Sequence, residues 1–188
     1  MTAHLYYIKV SILVLIFSIV FYTSVYADLK VTKISQNKGS FYIVLNKDIK
    51  ISDILFENND IKFPVYTGKG KVYKQFAILK RDFRQYLVNS LMQNQTSSKT
   101  KNTLFKVNKF SIFKNHKTIK AFASVIFDDD IEVECRIMQT KGKLWIAWPS
   151  NKKNNNWVKN FKFMNRDLGE LVEKELIANY TSNARQKH

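Results

Sequence analysis

The sequence predicts an α+β protein made of two similar small units, each an antiparallel β-sheet followed by one C-terminal α-helix. Three observations carry this. Short apolar segments alternate with a period of two between clusters of turn residues. Each series of strands ends in a segment with apolar residues at helical spacing. The chain also resembles itself: LKVTKI (Leu29–Ile34) aligns with FKVNKF (Phe105–Phe110), and NKDIKISDILF (Asn46–Phe56) with DDDIEVECRIM (Asp128–Met138). VYKQFAILKRDFRQYLVNSLM (Val72–Met92) aligns with WVKNFKFMNRDLGELVEKELI (Trp157–Ile177). From Pro64 and Pro149 onward the offset is a constant 85 residues, and Lys74/Lys159, Phe76/Phe161, Arg81/Arg166, Asp82/Asp167 and Leu91/Leu176 are identical pairs. Kept register and kept element order predict a tandem duplication.

The chain begins with a segment that stands apart from the units. Lys9 precedes the uncharged run VSILVLIFSIVFY (Val10–Tyr22), and Val25 and Ala27 stand at the −3 and −1 positions of a cut before Asp28. Residues 1–27 therefore read as a cleaved signal peptide or, with residues 6–26 near the length of a spanning helix, as an uncleaved anchor. Either expectation places the rest of the chain outside the cytoplasm, in the periplasm, the cell envelope or the medium. Unit one spans 28–94, a linker 95–103, unit two 104–181 and a tail 182–188. The linker lies within QNQTSSKTKNT (Gln93–Thr103), which carries no apolar periodicity.

Each unit opens with a short strand, marked by Val31 and Ile34 or by Val107 and Phe110. A hairpin follows: Phe41–Leu45 with Ile49–Phe56 in unit one, Ala121–Phe127 with Ile131–Met138 in unit two. Ile131, Val133, Cys135 and Ile137 face one side of their strand, and Glu132, Glu134 and Arg136 the other, wet side. A second hairpin turns at TKGK (Thr140–Lys143), where Gly142 supplies positive φ, into LWIAWP (Leu144–Pro149). A strand from Trp157 to Phe163 leads to the closing helix. Asp82 with Gln85, and Asp167 with Glu170, have the spacing of a capping box with Asp at the N-cap. Phe83, Tyr86, Leu87 and Leu91 form one apolar stripe, and Leu168, Leu171, Val172 and Leu176 the other, each covering its own sheet.

Against this frame stands an acid cluster. The chain has 31 Lys+Arg and 15 Asp+Glu, a formal charge of +16, yet Asp128–Asp130 stand in a row. A hard cation needs six or more oxygens in a ring, and no Asp-x-Asp-x-Asp-Gly loop is present. The run reads instead as the hairpin turn, occupied in unit one by Asn46-Lys47-Asp48, since Asp and Asn tolerate left-handed backbone. No metal and no cofactor is expected. His4, His116 and His188 lack partners at motif spacing, and no phosphate-binding glycine loop or nucleophile motif occurs, so no catalytic residue and no enzyme is expected. The lone Cys135 excludes an internal disulfide and reads as a small buried filler. A net +15 after residues 1–27 favours nucleic acid, anionic lipid or acidic wall polymers as partners.

KTIKAFASVIFDDDIEVECRIMQTKGKLWIAWPS (Lys117–Ser150), followed by a basic loop, a strand and a helix ending IANY (Ile177–Tyr180), resembles the stage V sporulation protein G (SpoVG) family. Ala121–Asp128, Cys135–Met138 and Leu144–Ser150 fill the places of that family's A-x-x-S-I-T/V-x-D strand, I-R-V-I strand and F-x-A-M-P-S-K segment. Unit one is a fainter echo that keeps Pro64 and the helix. The resemblance implies small dimeric proteins of septation, sporulation or gene control that bind DNA or RNA without catalysis. It places backbone contact at Lys152, Lys153, Lys159, Lys162 and Arg166, with Lys74 and Arg81 in unit one beside Lys69, Lys71, Lys80 and Arg84. Trp148 and Trp157 flank the loop as stacking candidates; the alternative for both is the core. Two features depart from the pattern: WVKNFKFMN (Trp157–Asn165) lacks the family's F-R-D-I-A-H-P, and the family is cytoplasmic whereas this chain carries an export signal. Two expectations therefore stand, a nucleic-acid-binding protein and an exported envelope structural or adaptor protein that binds an anionic polymer. In either, the two units are expected to pair as an intramolecular pseudo-dimer.

Overall fold

Two tight turns organise the molecule. In the computed structural model, which describes residues 29–68, 70–113 and 117–185, Asn46 and Lys47 in one turn and Asp128 and Asp129 in the other adopt left-handed backbone, with φ between +49° and +64°. Asn and Asp accept this geometry at low cost. The turns join β2 (Ser40–Leu45) to β3 (Ile49–Glu57) and β9 (Ile119–Phe127) to β10 (Ile131–Thr140). On the far edge of each hairpin lies the opening strand, β1 (Val31–Asn37) beside β2 and β8 (Phe105–Ile112) beside β9. The expectation for residues 1–27, together with Lys69, His116 and His188, lies outside the described residues. Among the described residues no helix is long and apolar enough to cross a membrane.

β4 (Asp60–Lys62) pairs with the distal part of β3, and β11 (Lys143–Ala147) with the distal part of β10. The β10–β11 turn uses Lys141 and Gly142, both at positive φ, as a two-residue hairpin requires. Two small ribbons follow: β5 (Val65–Gly68) with β6 (Lys71–Lys74), and β12 (Ser150–Lys153) with β13 (Asn156–Lys159). Their counterparts Val65/Ser150 and Lys74/Lys159 stand at equivalent ends.

The next strands cross over. β7 (Phe76–Ile78), from unit one, pairs with β10 of unit two, and β14 (Phe161–Phe163), from unit two, pairs with β3 of unit one. The registers match: Phe76 opposes Val133 and Ile78 opposes Ile131, while Phe161 opposes Ile51 and Phe163 opposes Ile49. The single strand expected from Trp157 to Phe163 is therefore two, β13 and β14, broken at Asn160. That residue is fully buried and gives its carbonyl to the amide of Ser52 (2.9 Å). Gln75 does the same for Glu134 (2.9 Å).

Each helix then covers its own unit's strands. Helix α1 (Arg81–Gln93) lies on β1, β4 and β7, and α2 (Arg166–Arg185) on β8, β11 and β14. Since β7 and β14 have changed sheets, the helices do not seal two separate cores, and side chains of both units merge into one apolar cluster. In α2, Leu168, Val172 and Leu176 are buried as expected, but Leu171 is exposed. Its counterpart Tyr86 is half-buried because its hydroxyl accepts from the Val31 amide (2.9 Å). The capping boxes are absent. Lys80 occupies the N-cap of α1 without a side-chain bond. In α2 the Asn165 Oδ1 accepts from the amides of Asp167 and Leu168. Asp82 and Asp167 sit inside the first turn, where a carboxylate faces the positive end of the helix dipole.

Candidate nucleic-acid interface

The acid cluster has a structural task. Asp130 is 1% exposed; its Oδ2 accepts from the Leu29 amide (2.8 Å), its Oδ1 meets Lys80 Nζ (2.8 Å), and its carbonyl accepts from Leu79 (2.8 Å). Asp48 repeats this in unit one, where its carboxylate accepts from Thr103 Oγ1 (2.6 Å) and Asn165 Nδ2 (2.9 Å), and its carbonyl from Met164 (2.7 Å). In both cases a buried turn aspartate grips the other unit where strand becomes helix. Lys80, expected at a nucleic-acid surface, thus holds Asp130.

Glu132, expected on a wet face, is 7% exposed. Ser124 Oγ (2.6 Å), Asn108 Nδ2 (2.9 Å) and Lys109 Nζ surround it. Burial pushes its carboxyl up, and these hydrogen bonds outweigh that and leave it below the ordinary glutamate value. Burial also raises the Cys135 thiol to about 12, which keeps it un-ionised and inert as a nucleophile.

The basic and aromatic residues divide by strand alternation. In the β12–β13 ribbon Lys152 opposes Trp157 and Ser150 opposes Lys159. Opposed side chains share a face, as do residues two apart, so Lys152, Trp157 and Lys159 project together. Lys153 falls on the other face and binds the Asp53 carboxylate (2.8 Å), which removes it from the set. Trp157 is 59% exposed and lines, with Lys159 and Lys162, a groove of about 590 Å3. Trp148 lies at its floor, packed on Phe161 (4.8 Å) and Phe163 (5.1 Å), its Nε1 donating to Glu173 (2.8 Å). It is an anchored wall and not a free stacking platform. Arg166 is exposed but paired with Glu170, one turn along α2 (2.6 Å), and it does not line the groove.

Two groove residues escaped sequence reasoning. Trp145 is 44% exposed at the mouth, and Arg136 lines the same groove. The alternation of β11 outside its buried Ile146 was the available signal for Trp145. In unit one, Lys74 and Arg81 are exposed, but the position of Trp157 holds Val72 and that of Lys152 holds Thr67. Arg84 is paired with Asp60. The basic-aromatic groove is therefore a property of unit two.

Among the described residues no group of three His, Cys, Asp or Glu gathers to hold a metal ion. Comparison with curated proteins and with solved structures gives no match. Residues 103–182 match the SpoVG family model, so the segment that carries the groove is SpoVG-like.

Proposed function

We propose that the chain is a non-enzymatic nucleic-acid-binding protein that uses the unit-two groove to hold single-stranded DNA or RNA. The observation that carries this reading is the common face of Lys152, Trp157 and Lys159 over a groove that Lys162 and Trp145 extend. Lysines answer a phosphate backbone without regard to sequence, and an exposed indole stacks on any base. The family resemblance adds a role in septation, sporulation or gene regulation. The matched exchange of β7 and β14 supports the two units as halves of an intramolecular pseudo-dimer, so the chain sediments as a monomer.

The test is titration of the chain with a fluorescent mixed-sequence oligonucleotide at several salt concentrations. Affinity falls steeply as salt rises, and Trp157→Ala weakens it roughly tenfold, the loss of one stacked base, with unchanged thermal stability. No retardation at low ionic strength overturns the proposal. The apolar run Val10–Tyr22 favours a second reading, export and an anionic envelope polymer as ligand. Teichoic acid that displaces the oligonucleotide at equal charge concentration decides for it.

A further inference from the structure

Among the acids that meet no basic side chain, Glu134 is the one that borders a cavity between the units. In a chain with about two basic groups for every acid, the Glu134 carboxylate takes part in no hydrogen bond or ion pair among the described residues. It sits where the edge of β10 passes from β7, which ends opposite Val133, to β11, which begins opposite Arg136. A cavity of about 350 Å3 opens there, walled by Tyr66, Tyr73 and Phe122 and bounded by Gln75, Glu134 and Arg136. The Arg136 guanidinium lies 5.5 Å from the Tyr66 ring centre. Gln75 is 8% exposed, and its Oε1 accepts no hydrogen bond.

Unit one supplies an internal control. Asp53, an extra residue bulged from β3 at φ +62°, lies next to Ser52, the counterpart of Glu134. Its carboxylate is saturated by Lys153 Nζ and Asn160 Nδ2, both at 2.8 Å. Asn160 is the counterpart of Gln75, and Lys153 that of Gly68, each 85 residues apart. Gly68 therefore stands where the other ribbon brings its lysine. A Cβ there would meet the Tyr66 ring at 2.8 Å, so the glycine both omits the cation and admits the aromatic wall. One place is plugged by its own chain; the other keeps a free carboxylate between aromatic rings.

We propose that this cavity binds a guanine base, taken from a single strand lying in the neighbouring groove. A carboxylate with two free oxygens matches two parallel N–H donors, and guanine presents N1–H and N2–H side by side on its Watson–Crick edge. Arg136 supplies a donor for the guanine carbonyl, and the tyrosines supply the stacking faces that single-strand readers use. Arg136 and Ala147 line both cavity and groove, so a base can leave the strand and enter. The inference rests on the nucleic-acid reading above.

The experiment compares oligo(dT) with the same strand carrying one central guanine, on the full chain and on two variants. The guanine strand binds roughly tenfold tighter, the discrimination of one bidentate contact. Glu134→Gln abolishes that preference and leaves oligo(dT) affinity unchanged. Gly68→Lys, which imports the plug of the other unit, also abolishes the preference, whatever its added charge does to oligo(dT) affinity. Equal affinity for both strands on the unaltered chain overturns the guanine assignment while leaving the groove reading intact. Failure of both strands to bind overturns the groove reading and, with it, this one. Tetramethylammonium binding that Glu134→Gln removes, without any guanine preference, reassigns the cavity to cationic ligands and also overturns it.

Discussion

Unit one and unit two share a backbone plan and differ in what they expose. Their turns, their exchanged strands and the two carboxylates that grip the opposite unit correspond in pairing and role: Asp48 with Asp130, Phe76 with Phe161, Gln75 with Asn160. The surfaces do not follow. The ribbon of unit two carries Lys152, Trp157 and Lys159 on one face, where unit one has Thr67, Val72 and Lys74. Positions that hold the two halves together answer to packing and buried hydrogen bonds, where a single change is costly. Positions on the ribbons are solvated, where most changes cost little stability and are free to serve a ligand. The comparison teaches that the buried frame is twofold and the candidate site is not.

The largest test of that frame concerns the exchanged strands. Phe161 is 1% exposed and packs with Trp148, Phe163 and Phe127, whereas among the described residues Phe76 meets one ring, Phe63 at 5.4 Å. Phe161→Ala destabilises by about 4 kcal/mol and Phe76→Ala by about 3 kcal/mol, as expected for a buried aromatic truncated to a cavity. Urea denaturation reads both. Each variant unfolds in one transition, because both units share one core. A second transition, with one unit left folded, breaks the comparison by showing two separable domains.

Next in size are the two clamps. Asp130→Ala takes the acceptor from the Leu29 amide and the carboxylate from Lys80, and Asp48→Ala takes the acceptor from the Thr103 hydroxyl and the Asn165 Nδ2. The first costs about 3 kcal/mol, since it removes a buried carboxylate from a charged partner. The second costs about 2 kcal/mol, because its partners are neutral. Equal losses in the two variants, measured from denaturation midpoints, leave Lys80 with no energetic part in the clamp.

Much of this frame is legible in the sequence, and the illegible parts have physical reasons. The hairpins, both closing helices and the turn at Asp128–Asp130 follow from alternation, helical spacing and the turn preference of Asp and Asn, all local effects. The exchange of β7 and β14 does not, because Phe76–Ile78 reads the same beside either sheet; only partner register decides, and that is a tertiary fact. Glu132 misled for a related reason. Alternation assigned its side of β10 correctly, but Asn108 on β8, Ser124 on β9 and Lys109 cover that side locally. The cap misled because Asn165 begins the helix two residues ahead of the acid that sequence spacing favoured. At the candidate site, Lys152, Lys159, Lys162 and Trp157 came from the family resemblance and not from a pattern in the residues themselves. The loss of Lys153 to Asp53 was not legible, since that pair spans 100 residues.

The smallest expected effect separates the units by pH. The strand of unit one holds Lys50 and Ser52 where β10 holds Glu132 and Glu134, so this acid response belongs to unit two. Glu132 is held below its ordinary value, so its contribution is present above the unfolded glutamate value and is lost as pH falls through the lower folded one. Glu134 has the opposite sign. Burial, with the nearby Glu132 charge adding and Lys109 opposing, raises its carboxyl. The folded chain then prefers it protonated, and stability falls as pH rises from the unfolded value through the raised one. Glu132→Gln is therefore less stable than the unaltered chain at neutral pH, by about 1 kcal/mol, and the deficit narrows on acidification. Glu134→Gln is slightly more stable at neutral pH, and that gain vanishes in acid. Denaturation midpoints followed between about pH 3 and 7 check both signs at once. Two variants that respond alike show that the Ser124, Asn108 and Lys109 cage does not distinguish the neighbouring carboxylates.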